Sequence, residues 1–489
     1  MNLIKKLAGQ TAIYGVPSIL GRLLNYLLVP LFTRIFIPEE FGVVTELYAY
    51  VSFLIIILTY GMETTLFRFT QSEQNKETVY STILISILSS TGVFLLLFLL
   101  LSPFIANGLG YSQNQEYIIW FIFIIGFDAI TAIPFAKLRE QNKPIKFALL
   151  KFTGILVNIG FVLFFLFLSP YIYEKGEGFL FDLINLVYSP EIGIGYIFIS
   201  NLLASIITVL LLFPYLIPKF PAFDLALWKR MMKYSLPLLL AGLAGMTNET
   251  ADRIMIKYLL PPDVSLYQLG IYGACYKIAI LMTLFIQSFR FAAEPFFFAQ
   301  YKEKNRTAVY SNVMNYFILA GSVIFLSVVL YIDYVQLFVG EDYREGIKIV
   351  PILLLANLFV GIFFNLSIWY KLSGKTMIGA YITLVGAVVT VVLNLILIPK
   401  IGYMGAAWTT LICYTVMMVL SYVIGQKHFP IPYNLKNAGI YIFLAVLIYV
   451  ISERFAPEEQ ISKIIFNTIL LGVFLITAFL IEKTKKVVI

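Results

Sequence analysis

The chain has 489 residues, 60% hydrophobic and 13% charged, with a net charge of +8 and mean hydropathy +0.89. A soluble domain averages about 45–50% apolar and about 25% charged residues. So few charges cannot cover the surface of a water-soluble enzyme of this size, and the composition argues equally against a nucleic-acid binder, a disulfide scaffold and a disordered chain. Apolar runs such as 91–101, 161–168 and 381–398 sit inside windows long enough to span about 30 Å of hydrocarbon. The expectation is an all-α polytopic membrane protein.

A basic stretch, MNLIKKLAG, opens the sequence, and no short apolar core with an A-x-A site follows it. The segment 8–33, studded with Pro17, Arg22, Asn25 and Pro30, is expected to be a retained first helix rather than a cleaved signal. Hydropathy windows place the next spans at 42–66, 78–102, 116–136, 152–169 and 192–213. The second half carries spans at 234–256, 268–289, 309–332, 349–370, 377–398 and 405–425, and two more follow at 438–451 and 462–481. That makes about fourteen in all. With the N-terminus inside, inside segments hold about three times as many Lys and Arg residues as outside segments, a clear positive-inside bias. An even count puts both termini in the cytoplasm. The longest outer loop, 170–191, is rich in acids.

A loose repeat divides the chain. Lys5 to Pro17 (KKLAGQTAIYGVP) recurs as Trp228 to Pro237 (WKRMMKYSLP). Both elements then end near Pro and acid, at Pro38-Glu39-Glu40-Phe41-Gly42 and at Pro262-Asp263 with Gly270 further on. Parallel repeats are a known transporter plan, with the substrate site between the halves. The expected units are 1–220 and 221–426, six helices each, with 427–489 adding two.

Residue counts close off much chemistry. One histidine, His428, sits in a polar loop, and the two cysteines, Cys275 and Cys413, fall inside expected spans. No catalytic triad or zinc site can be assembled from them. Gly374-Lys375-Thr376 resembles the end of a phosphate-binding loop, but Trp369 stands where its first glycine belongs. The chain is expected to be no enzyme and to carry no cofactor or metal.

Ionisable side chains within spans cost several kcal/mol, so they face a cavity or a partner. They are Arg22 with Asn25, Glu46, Glu63, Asp128, the group Glu249, Asp252 and Arg253, then Lys277 and Arg290 with Glu294. Helical spacing pairs Glu249 with Arg253, Arg290 with Glu294, and Glu63 with Arg68. Arg22 and Lys277 have no acid at that spacing, which points them toward a cavity. A cationic cavity in apolar walls suits an anionic head group, above all a pyrophosphate. Glu46, Asp128, Glu249 and Asp252 are the candidates for coupling transport to Na⁺ or H⁺.

TYGMETTLFRF (59–69), ETADRIMIKYLL with GIYGACYKIA (249–279), FRFAAEPFFF (289–298), 343–376 and NLILIPKIGYMGAAWTTL (394–411) carry a resemblance over nearly the whole chain. The sequence resembles the polysaccharide-biosynthesis oligosaccharide flippases of the multidrug/oligosaccharidyl-lipid/polysaccharide export superfamily. The resemblance implies two six-helix lobes in a V around a central cavity, with two extra C-terminal helices. It implies translocation of undecaprenyl-diphosphate-linked repeat units by alternating access across the bacterial inner membrane, for surface polysaccharide such as O-antigen. Arg22, Arg253, Lys277 and Arg290 then match the cationic cavity, with Asn25 beside Arg22. The partners implied are lipid-linked oligosaccharide, membrane lipids, and polysaccharide polymerase and chain-length proteins. The alternative is a cation-coupled small-molecule exporter of the same fold.

Overall fold

The computed structural model describes residues 21, 23–218, 222–301, 303 and 305–486; among them there are helices and no strands. Hydrocarbon offers backbone groups no partner, so a chain this apolar satisfies them within helices. The helices are α1 (Val29–Ile35), α2 (Pro38–Thr59), α3 (Met62–Ser72), α4 (Lys76–Leu100), α5 (Gln115–Glu140), α6 (Pro144–Leu163), α7 (Gly195–Leu216) and α8 (Leu225–Leu259). There follow α9 (Pro262–Ile278), α10 (Ile280–Gln300), α11 (Arg306–Val329), α12 (Val350–Leu366), α13 (Thr376–Ile401), α14 (Tyr403–His428), α15 (Leu435–Phe455) and α16 (Gln460–Lys486). Their starts follow local chemistry. Asn75 and Asn434 cap α4 and α15 by accepting the Thr78 and Asn437 amides at 3.1 and 3.0 Å. Pro38, Pro144 and Pro262 open α2, α6 and α9, where a missing amide costs nothing.

Eleven helical runs among the described residues are long and apolar enough to cross a membrane, twelve if α9 and α10, bent by 48°, form one span. The expected count of about fourteen is not confirmed among the described residues. Most of the first expected span lies outside the described residues, which show the shorter apolar stretch Leu23–Ile35. The seventh, α8, is a continuous helix of 35 residues with seven charged side chains, Lys229 to Lys257, and is not among the eleven.

The chain divides into two compact units. One contains Leu23–Leu28 and Val43–Met246. The other contains Val29–Gly42 and the chain from Thr247 onward. In the first, Met62 and Leu66 of α3, Val79, Ile83, Leu84 and Ile87 of α4, Ile133 and Ala136 of α5, and Leu227 and Met231 of α8 form one buried cluster. Its rim is ionic. Lys137 pairs with Glu77 at 2.9 Å, Lys76 with Glu140 at 3.2 Å and Arg230 with Glu73 at 2.8 Å. The first two pairs line a polar cavity of about 410 Å³. Glu63 pairs with Arg139 at 2.7 Å, not with Arg68 as its spacing suggested. Arg68 instead lies 4.4 Å over the Tyr234 ring. The carboxylate of α3 meets a cation from α5, 76 residues away, and that tertiary contact outranks the neighbour on its own helix.

In the second unit, Ala356 and Phe363 of α12, Ile382 of α13, and Cys413, Tyr414 and Met417 of α14 form one cluster. A second joins Ala293 and Phe297 of α10 to Tyr310, Ile368 and Ile431. The last two helices are fastened by polar contacts. Glu482 accepts from Asn315 of α11 and from Tyr441 of α15, both at 2.6 Å. Asn467 accepts from Ser452 at 2.7 Å and donates to the Leu330 carbonyl at 2.6 Å. Apolar side chains on α16 stand exposed in a stripe, Ile461, Ile465, Ile469, Ile476 and Leu480 among them, as they do along α4 and α13. Surfaces of that kind belong in lipid, and the chain is a multi-pass membrane protein.

Segment 29–42 packs against the chain beyond Thr247. Thr33 Oγ1 accepts the Gly340 amide at 3.0 Å, and Tyr343 donates to the Phe36 carbonyl at 2.7 Å. α2 and α9 meet at two glycines. A Cβ on Gly270 would lie 1.8 Å from the Pro38 carbonyl oxygen, and one on Gly42 would lie 2.2 Å from that of Leu266. Both obstacles are backbone, so neither can rotate aside. Gly270→Ala is therefore expected to lower stability by about 1–3 kcal/mol through forced separation of the two helices. Gly160→Ala, with nothing within 4 Å of its Cβ, is expected to be neutral or slightly stabilising. Melting curves of the detergent-solubilised variants check the contrast.

Candidate functional site

A group of intramembrane charges lies in the second unit, where the end of α8 meets α9. The Asp252 side chain is 4% exposed and the Arg253 side chain 14%. Asp252 Oδ1 accepts the Arg253 amide at 2.8 Å and Arg253 Nη1 at 3.2 Å, while its other oxygen accepts the Tyr272 hydroxyl. Arg253 Nη1 also donates to the Glu249 carbonyl at 2.6 Å. Its guanidinium lies 4.4 Å over the Tyr276 ring and 6.0 Å over that of Tyr272. Glu249 itself is exposed. The expected side-chain pair Glu249–Arg253 is thus replaced by Arg253 with its chain neighbour Asp252, and Glu249 contributes its carbonyl. Lys277, on the last turn of α9, lies within the electrostatic reach of Arg253 and Glu249. This geometry brings together four of the residues expected from the sequence: Glu249, Asp252, Arg253 and Lys277.

Asn248, one residue before that group, joins α8 to two further helices. It donates to the Thr383 carbonyl at 3.0 Å and accepts from Thr390 at 3.3 Å, both on α13. Its own carbonyl accepts from Tyr414 of α14 at 3.4 Å. The sequence singled out neither Asn248 nor the tyrosines. The polar residue in an apolar stretch was a signal for the former. Nothing distinguishes Tyr272, Tyr276 and Tyr414 among 32 tyrosines.

Arg290, on α10, is half-buried and lies 4.1 Å over the Phe364 ring. Glu294 pairs with Lys371, so the expected Arg290–Glu294 pair is not formed. The cause is again a cation delivered by a different helix, 77 residues along the chain.

Asn25, Glu46 and Asp128 belong to the first unit. Arg22 lies outside the described residues. Asn25 is exposed, and its carbonyl accepts the Leu28 amide at 3.3 Å. Glu46 is fully buried and accepts the hydroxyls of Tyr111 at 2.5 Å and Tyr50 at 3.2 Å. Asp128 Oδ1 accepts from Ser205 at 3.0 Å, and Asp128 interacts electrostatically with Lys151. Lys151 stands one residue before the span expected at 152–169. It lies two turns into α6 because that helix begins at Pro144, and a proline at a first helical position was the available signal.

A carboxylate that fixes an arginine fork between two aromatic rings leaves a cation whose direction is set before any ligand arrives. Removing the carboxylate strands the guanidinium in a low-dielectric site. Asp252→Ala is expected to cost about 3–5 kcal/mol of stability, whereas Tyr272→Phe, which removes one hydroxyl from a charged acceptor, costs about 1.5–3 kcal/mol. Thermal unfolding in detergent, followed by size-exclusion fluorescence, ranks the two.

Comparisons agree with this fold. A lipid II flippase, MurJ, in an inward closed conformation superposes with TM-score 0.68 at 14% identity, over 94% of this chain and 97% of the flippase. A multidrug resistance MATE family transporter of the MOP superfamily superposes with TM-score 0.61 at 15% identity in its outward-facing conformation, over 86% of this chain and 95% of that one. An inward-facing structure of a multidrug resistance MATE family transporter gives 0.60 at 14%, over 87% of this chain and 94% of that one. No curated protein sequence matches. At these identities the likeness is one of fold. The family model described as polysaccharide biosynthesis protein matches residues 7–300, more than half of the sequence, and the chain belongs to that family.

Proposed function

We infer that the protein is a flippase moving undecaprenyl-diphosphate-linked oligosaccharide repeat units across the bacterial inner membrane by alternating access, for surface polysaccharide. The observation that carries this reading is the Asp252-oriented Arg253 beside Lys277, two cations held within an apolar helical unit. Membership of the polysaccharide biosynthesis protein family supports it. In this reading Arg253, Lys277 and Arg290 of the second unit hold the diphosphate, and Arg22 and Asn25 are assigned to substrate binding as the resemblance implies. Arg253 offers paired N–H donors to two phosphate oxygens, and Lys277 adds a compact point charge. The lipid tail stays in the bilayer. Both termini face the cytoplasm, as the distribution of Lys and Arg favours. No catalytic step is assigned to the chain, and it would work beside a polymerase and chain-length proteins.

Buried carboxylates favour a second reading, a cation-coupled small-molecule exporter. Glu46 and Asp252 are both buried in hydrogen-bonded surroundings. Within the first reading, the same carboxylates, with Asp128 and Glu249, couple flipping to a Na⁺ or H⁺ gradient.

Two experiments separate the readings. Lys277→Ala and Arg22→Ala are expected to abolish surface glycan while leaving folded protein in the membrane, as measured by glycan blotting beside detergent-extracted protein levels. Arg253→Lys keeps the charge but removes the fork, and is expected to lose most glycan as well; normal glycan in all three variants overturns the cavity assignment. Deleting the gene is expected to strand lipid-linked repeat units on the cytoplasmic leaflet. Finding them on the outer leaflet as usual, together with hypersensitivity to small cationic drugs, would establish the exporter instead.

A further inference from the structure

The segment after α6 has no part in the reading above, yet its pattern is sharply ordered. α6 continues through a π-helical turn, Phe164–Leu168, into a helix at Ser169–Lys175, so that the run Pro144–Lys175 has 32 residues. At about 1.5 Å per residue this is longer than the ~30 Å hydrocarbon layer. Its far end therefore emerges at a membrane boundary. Gly176 and Gly178, with φ of +71° and +104°, then turn the chain into a helix at Phe179–Asn185.

That second helix has three faces. Phe181, Ile184 and Tyr188 point inward: Ile184 is 6% exposed, and Tyr173 packs against the rings of Phe181 at 5.7 Å and Tyr188 at 5.6 Å. Tyr188 stacks on Tyr196 of α7 at 5.2 Å, and Tyr196 stacks on Phe165 at 4.6 Å. The Tyr196 hydroxyl also accepts the Ser189 amide at 2.7 Å. This column of rings fixes the helix against its own span. Asp182 and Asn185 form a polar edge. Phe179, Leu180 and Leu183 form the third face, and Leu186 and Val187 continue it in the turn beyond Asn185; all five are exposed, Leu186 to 82% and Phe179 to 76%. On a helix of 3.6 residues per turn the first three, at i, i+1 and i+4, fall within a stripe about 100° wide.

We propose that this stripe is a membrane-interface anchor: the helix at Phe179–Asn185 lies in the plane of the bilayer surface with Phe179, Leu180, Leu183, Leu186 and Val187 sunk among the lipid acyl chains. The occupant follows from continuity. The preceding span also carries Tyr171, Leu168, Phe167, Leu163 and Leu156, all 44–59% exposed, and apolar side chains exposed along a membrane-spanning helix face lipid. Lys175 lies 4.3 Å over the Tyr171 ring at the junction, where an amphipathic cation belongs at the head-group level. A surface-lying helix of this design places its apolar face about 5–10 Å into the head-group and acyl boundary. The anchor depends on the span, not on what is transported, so it stands or falls separately from the flippase reading.

The test uses the full-length protein, spin-labelled at single introduced cysteines and reconstituted in vesicles of phosphatidylethanolamine and phosphatidylglycerol. Both native cysteines are buried and leave the introduced thiol as the reactive one. In Leu183→Cys and Leu186→Cys, oxygen is expected to relax the label more than a water-soluble nickel chelate does, and in Asp182→Cys and Asn185→Cys the order is expected to reverse. Chelate dominance at 183 and 186 would put the stripe in water and overturn the anchor. Dipolar broadening at 183 and 186 that disappears on dilution with unlabelled protein would assign the stripe to a second copy of the chain, and overturns it equally. Leu180→Cys, on the same stripe, replaces any variant that elutes as an aggregate.

Discussion

Everything in this structure depends on the absence of water from the hydrocarbon layer. A backbone amide or carbonyl there must find its partner within the chain, and helices answer that demand for almost every residue. The same constraint acts on side chains with a different result. A charged or amide side chain within a span is costly unless another polar group meets it, and several such residues here draw two or more helices together. Glu482 joins α11, α15 and α16, Asn248 joins α8, α13 and α14, and Asp252 joins α8 to α9. Polar contacts of this kind fix which helices are neighbours. The apolar clusters then fill the space between them.

The arginine at 253 shows how that constraint becomes chemistry. Its charge is balanced by Asp252, one of its donors is taken by the Glu249 carbonyl, and Tyr276 covers a face of the guanidinium. Such a group keeps its direction when a ligand arrives. An anion binding there meets a donor whose ordering entropy has already been spent in folding, which is the general advantage of preorganisation.

Helix positions were largely legible in the sequence because hydropathy over a window and prolines or asparagines at first turns act locally. The membership of the charged group at 249–253 was legible for the same reason, since helical spacing places those residues together. Pairing was not. Helical spacing sees one helix, and it assigned Glu63 to Arg68 and Glu294 to Arg290, whereas α5 supplies Arg139 and the segment after α12 supplies Lys371. Those partners lie 76 and 77 residues away, a separation that no local rule spans. The tyrosine hydroxyls that hold Glu46 and Asp252 were illegible on other grounds. A tyrosine reads as apolar bulk until its hydroxyl has a neighbour, and only tertiary packing supplies one.

The polar fastening of the last two helices bears on how the chain is made. Asn315 waits for Glu482, 167 residues downstream, and the Leu330 carbonyl waits for Asn467, 137 residues downstream. Synthesis at about 5–20 residues per second puts roughly 7 to 33 seconds between the arrival of α11 and that of its partners. Throughout that interval α11 carries an amide side chain and a helix-terminal carbonyl whose final ligands do not yet exist. Membrane insertion of this protein therefore passes through a state in which α11 must be sheltered, by the insertion machinery or by water at the channel wall, and the last helix to be made is the one that ends the wait.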